Sequence, residues 1–114
     1  MIKIKCKEGV WFKEINHYFL EAARVVYRIY QTYGVVPTVT SACDGDHLPN
    51  SFHFEGLAWD FRIWGLPHPN VVANLIREEL RKNDFRYDVV FDDPQHLNHI
   101  HIEYDTRKES PLST

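Results

Sequence analysis

Between Leu57 and Ile63 the chain reads LAWDFRI, an alternation that leaves few folds open. In an extended strand successive side chains point to opposite faces. Leu57, Trp59, Phe61 and Ile63 therefore share one face, which must meet a core, while Ala58, Asp60 and Arg62 share the other. Aspartate is disfavoured in strands, and its burial is costly unless the charge is paired or metal-bound. The segment HLNHIHIEYD, residues 96–105, follows the same logic: His99, His101 and Glu103 fall on one face, and Ile100, Ile102 and Tyr104 on the other. Histidines at i and i+2 of a strand lie about 7 Å apart on one side. That spacing suits one imidazole binding a metal and the other addressing what is bound to it.

Periodicity elsewhere supplies the surrounding elements. Residues 2–6 read as a short edge strand. From Phe12 to about Tyr33 apolar residues recur at helical spacing (Ile15, Phe19, Ala22, Val26, Ile29, Tyr33), and Gly34 and Pro37 end the run. Residues 35–42 are β-branched and read as a strand, and CDGDHLPNS reads as a loop. Pro69 opens a second helix to about Lys82, with Val72, Leu75, Ile76 and Leu80 facing inward. Strands are expected over about 86–92 and 98–105. Helices and strands do not strictly alternate, so the expected class is α+β: a small, mostly antiparallel sheet with one long N-terminal helix and a second helix packed on one face. Residues 1–105 form a single domain in this reading, and 106–114 a polar, flexible tail.

Bulk properties exclude some functions. The 114 residues suffice for one core, and the aromatic share of 14% implies bulky packing. A net charge of −3 and a pI near 6.1 argue against nucleic acid or an anionic membrane as the main partner. No apolar run is long enough to span a bilayer, and Met1-Ile2-Lys3-Ile4-Lys5 does not open a secretory signal, so a cytoplasmic location is expected. A monomer is favoured. Cys6 and Cys43 form neither a CxxC nor a zinc pair and read as free, partly buried thiols.

A loop histidine alone is usually only solvated, and an HxH alone is easily generated by an alternating strand. The joint pattern carries more: His53-x6-Asp60, then His99-x-His101 some forty residues later. Two imidazoles and a carboxylate are the ligand set of open zinc sites, whose fourth position takes water. Ser51-x-His53-x-x-Gly56-x-Ala58-x-Asp60, followed by His99-x-His101, resembles the zinc D-alanyl-D-alanine metallopeptidases and their relatives, the hedgehog signalling domains. His47, six residues before His53, extends the likeness to hedgehog, and the ending HIHIEYD is similar to small phage-encoded cell-wall peptidases. The resemblance spans roughly residues 36–105. It implies one zinc ion per chain held by His53, Asp60 and His101, with His99 near the water or oxyanion and His47 lining the cleft. It also implies a peptidoglycan peptide or another short D-amino-acid peptide as substrate. Ser51 would hold a ligand or the loop backbone, and Gly56 the turn between loop and strand. The missing signal fits a phage lysis enzyme or a cytosolic dipeptidase.

Two departures stand out. The family commonly places a glutamate a few residues before its last zinc histidine. Here FDDPQHLNH contains none, and counting back from His101 reaches Gln95 or Asn98, which cannot take a proton. Asp92, then Asp93, are the substitutes, unless they only form an acidic turn. The arginine that grips a terminal carboxylate in many carboxypeptidases is also missing from Ser41-Ala42-Cys43-Asp44. Arg62 either replaces it or pairs with Glu103 or another acid on the same face. The competing reading is a non-catalytic, hedgehog-like zinc module that binds a protein or cell-wall ligand.

Overall fold

The computed structural model describes residues 2–43, 55–91 and 98–109. Along the chain run β1 (Lys5–Cys6), α1 (His17–Gln31), β2 (Thr38–Ser41), β3 (Ala58–Arg62), α2 (Pro69–Asn83), β4 (Tyr87–Val90) and β5 (His99–Tyr104). They make one five-stranded sheet in the order β1-β2-β3-β5-β4, with β1 parallel to β2 and every other pair antiparallel. The class is α+β, as expected. No helix among the described residues is long and apolar enough to cross a membrane.

Trp59, Phe61, Ile100 and Ile102, all fully buried, form the inner face of the central strands, and both helices cover it. From α1 come Phe19, Ala22 and Val26, and from α2 Val72, Ile76 and Leu80. The Phe19 ring lies 5.4 Å from the Trp59 ring, centroid to centroid. Tyr87 and Tyr104 add bulk at the β4 side without stranding their hydroxyls: Tyr87 donates to the Tyr18 carbonyl at 2.8 Å and Tyr104 to Asp84 at 2.7 Å. An aromatic core of this kind buries large area while keeping each polar tip bonded.

Three expectations about the helices need correction. The N-terminal helix does not start at Phe12; it starts at His17, and its 15 residues match the 15 of α2, so neither is the longer. Asn16 sets the start. Its Oδ1 accepts from the Phe19 amide at 2.9 Å, while its Nδ2 donates to the Gly56 carbonyl at 2.9 Å. A side-chain cap fixes the first turn here, and the second bond ties that cap to the turn leading into β3. Ile15 and Leu75, placed inward by spacing alone, are 56% and 42% exposed. Gly34 does close α1, at φ +71°, where a residue with a side chain would be strained. Cys6, expected to be partly buried, lies exposed on the edge strand, and Cys43 is buried.

The β4 edge is covered in an unplanned way. Arg77 and Arg81, one helical turn apart on α2, donate to the carbonyls of Val89 and Tyr87. They occupy acceptors that an edge strand would otherwise present to another chain. In the segment after β5, Lys108 pairs with Asp88 and Arg107 with Asp105, while 110–114 lie outside the described residues.

Candidate metal centre

The face of the sheet opposite the helices carries the chemistry. Register places Asp60 of β3 directly beside His101 of β5, Arg62 beside His99, and Ala58 beside Glu103. Cross-strand neighbours share a face at close range, so the alternation in the two segments becomes one cluster. Ala58, with no exposed surface, leaves the space that the larger groups fill.

Asp60 and His101, each only 6% exposed, are the buried charged or polar residues among the described residues. Asp60 Oδ1 lies 2.8 Å from His101 Nδ1 and 3.5 Å from His99 Nε2. On its far side the His101 ring donates from Nε2 to Glu103 Oε1 at 2.7 Å. Burial alone pushes the His101 pKa down, but hydrogen bonds to Asp60 and Glu103, and the charges of both carboxylates, outweigh it and raise it to about 9. At neutral pH the metal-free ring is therefore an imidazolium donating at both nitrogens. His99 donates from Nδ1 to Asn98 Oδ1 at 2.7 Å, so in its neutral form Nε2 is the lone-pair nitrogen, directed toward Asp60.

Two members of this set fit a zinc-type cation. Asp60 Oδ1 and His101 Nδ1 lie 2.8 Å apart, close enough to share one ion, while His99 does not complete a three-donor cluster within 4.8 Å. The His101 ring is held from behind by the Glu103 carboxylate. That is the outer-shell arrangement which fixes the tautomer and orientation of a metal-ligating histidine. A second acidic group, Asp88, Glu103 and Asp105, brings its oxygens within 4.8 Å of one another and offers a possible cation site. Its charge is already answered: Arg81 lies 2.9 Å from Asp88, Lys108 pairs with the same carboxylate, Arg107 lies 3.5 Å from Asp105, and Glu103 binds His101.

Of the residues singled out from sequence, Asp60, His99 and His101 are brought together and Arg62 lies in the adjacent row. His47, Ser51, His53, Asp92 and Asp93 lie outside the described residues. The alternative pairing of Arg62 with Glu103 is not formed. Glu103 sits opposite Ala58 and binds His101, whereas the Arg62 guanidinium lies 3.8 Å over the Trp64 ring. Two contributors were missed. Glu103 was treated only as a partner for Arg62, although its i+2 spacing from His101 already put it on the right face. Asn98 was weighed only as a base, and its bond to His99 follows from sequence adjacency. Gly56, with φ +75°, makes the turn into β3 and is anchored by Asn16.

No family model matches the chain, and comparison with curated proteins and with solved structures likewise returns no match.

Proposed function

We propose that the protein is a zinc-dependent peptidase acting on peptidoglycan-type peptides, in the manner of a D-Ala-D-Ala carboxypeptidase or cell-wall endopeptidase. One observation carries the reading. On a single sheet face Asp60 Oδ1 stands 2.8 Å from one imidazole and 3.5 Å from another, and the closer ring is braced by Glu103. Asp60 and His101 would hold the metal, with His53 assigned as third ligand from its spacing in the sequence. Zinc in such a site supplies Lewis-acid polarisation of a carbonyl and lowers the pKa of water to about 7.

The chain's own residues supply the rest. Glu103 holds His101 Nε2–H, which leaves Nδ1 as the coordinating nitrogen. His99, whose Nδ1–H is held by Asn98, is assigned to donate from Nε2, as an imidazolium, to the oxyanion that develops on the scissile carbonyl. Asp92, or Asp93 beside it, is assigned to accept the proton of the attacking water. Glu103 cannot take that role, because its bond is made on the side of the His101 ring remote from Asp60. The substrate class follows from the sequence resemblance alone.

A second reading is favoured by the stretch from Phe91 to His99, which has no glutamate: a zinc module that binds a ligand and cuts nothing. The test is a digest of soluble muropeptides and intact cell wall, with zinc-loaded and chelator-stripped protein in parallel, read by mass spectrometry. Metal-dependent release of a terminal D-alanine, or opening of a crosslink, supports the peptidase. A protein that holds one zinc per chain and yields no product supports the binding module.

A further inference from the structure

The two edges of the sheet are finished differently. At β4 the guanidinium groups of Arg77 and Arg81 cover backbone acceptors. At the other edge β1 stands outermost, next to β2. Lys5 and Lys7 turn their amides inward, donating to the carbonyls of Pro37 at 2.8 Å and Val39 at 2.9 Å. Backbone groups of successive strand residues point to opposite sides, so those of Ile4 and Cys6 point outward. Among the described residues they make no hydrogen bond. Such a row of free donors and acceptors is a template for one more strand.

Beside that edge runs a groove of about 650 Å³ between β1 and α1. Ile2 and Ile4 line it from the strand, and Phe19, Leu20, Ala23 and Arg24 from the helix. Ile2 and Leu20 are 46% and 56% exposed, so apolar surface faces solvent along the groove. Glu21, the acid of the lining, accepts from the Tyr87 hydroxyl at 3.3 Å. Arg24 forms no ion pair among the described residues, and neither do Lys3, Lys5 and Lys7. Lys5 lines a cavity on the opposite face of the sheet, with Thr38 and Arg62. Alternation therefore turns Ile2 and Ile4 toward α1 and Lys3, Lys5 and Lys7 to the other side, with no acid before Glu8.

We infer that the β1 edge binds an extended, acidic segment of a partner protein, which joins the sheet as an added strand. Side chains of paired strands share a face at each position. Residues of the partner beside Ile2 and Ile4 are therefore apolar and enter the groove, and those beside Lys3, Lys5 and Lys7 are acidic. Main-chain bonds to Ile4 and Cys6 supply affinity, and the two side-chain rows supply selection. A second copy of the chain is a poor occupant. Pairing two β1 edges sets one lysine row against another, and like charges across a strand pair are unfavourable. The edge involves neither Asp60 nor His101, so the inference does not rest on the peptidase reading.

The test titrates the full chain with three end-blocked, fluorescent peptides: alternating valine and glutamate, alternating valine and lysine, and the first again with its backbone amides methylated. Anisotropy reads affinity, and amide hydrogen exchange at Ile4 and Cys6 reads the place of binding. The acidic peptide should bind about tenfold or more tightly than the basic one, slow exchange at both amides, and lose its affinity on methylation. Combined Lys3→Glu, Lys5→Glu and Lys7→Glu should reverse the preference. Leu20→Asn, which removes apolar groove wall at an exposed position without adding charge, should weaken binding severalfold. Both variants should keep the far-UV circular dichroism of the wild type. Equal affinity for the acidic and basic peptides, no saturable binding, or exchange at Ile4 and Cys6 unchanged by peptide overturns the inference. Self-association of the chain that protects the same two amides also overturns it, in favour of a second copy.

Discussion

His101, held between Asp60 and Glu103, makes the stability of the metal-free protein depend on pH in a direction that can be worked out in advance. The ring's ordinary pKa of 6.5 is raised to about 9 in the fold. At about 1.4 kcal/mol per unit, that gap is worth roughly 3 kcal/mol. The folded state binds the proton more tightly than the unfolded chain does. The stabilisation is therefore complete below about pH 6.5 and is lost as the pH rises through about 9. Urea unfolding of chelator-stripped protein at pH 6 and pH 9.5 measures it, with His101→Asn as the reference that cancels lysine, tyrosine and cysteine titration. The wild-type advantage over the variant should shrink by roughly 3 kcal/mol between the two pH values. Glu103→Gln should move the decline to lower pH, because one of the two hydrogen-bonded charges that raise the pKa is removed. In zinc-saturated protein the decline should be absent, since coordination requires Nδ1 without its proton. A difference that stays flat from pH 6 to 9.5 would refute a doubly bonded imidazolium at His101.

Other perturbations test separate links. Asp60→Ala should abolish stoichiometric zinc binding, read by elemental analysis after dialysis, while Asp88→Ala in the separate acidic group should leave it intact. Trp59→Ala empties the fully buried centre of the sheet and should cost roughly 3–5 kcal/mol in urea unfolding. Asn16→Ala removes both the α1 cap and the anchor of the Gly56 turn. It should cost about 1–2 kcal/mol, and Asn16→Asp, which can still cap but cannot donate to Gly56, should recover only part of that loss. Arg77→Ala with Arg81→Ala exposes the β4 edge carbonyls, and light scattering should then detect concentration-dependent association that the wild type lacks.

The features of the site that depend on strand period were legible from the start. LAWDFRI and HIHIEY each declare two faces, because a side chain's facing in an extended chain is a local property. The grouping of Asp60, Arg62, His99, His101 and Glu103 on polar faces needed nothing more. The extent of α1 was less legible. Phe12 and Ile15 continue the apolar spacing, and what stops the helix before them is Asn16, whose second partner, Gly56, lies forty residues away. Ile15 and Leu75 illustrate the same limit: a helical stripe gives a direction, but the width of the surface it meets decides which flanking residues are covered.

Sequence alone determined that a carboxylate and two histidines would sit opposite a core of tryptophan, phenylalanine and isoleucine, since alternation is enforced residue by residue along each strand. Which polar groups touch was decided only by tertiary structure. Register between β3 and β5, a property of two segments about forty residues apart, put His101 beside Asp60 and Glu103 beside Ala58. The contacts of Glu103 with His101 and of Arg62 with Trp64, each two residues apart in one segment, are local by comparison. Moving the register by two residues would keep every side chain on its face yet change every cross-strand partner.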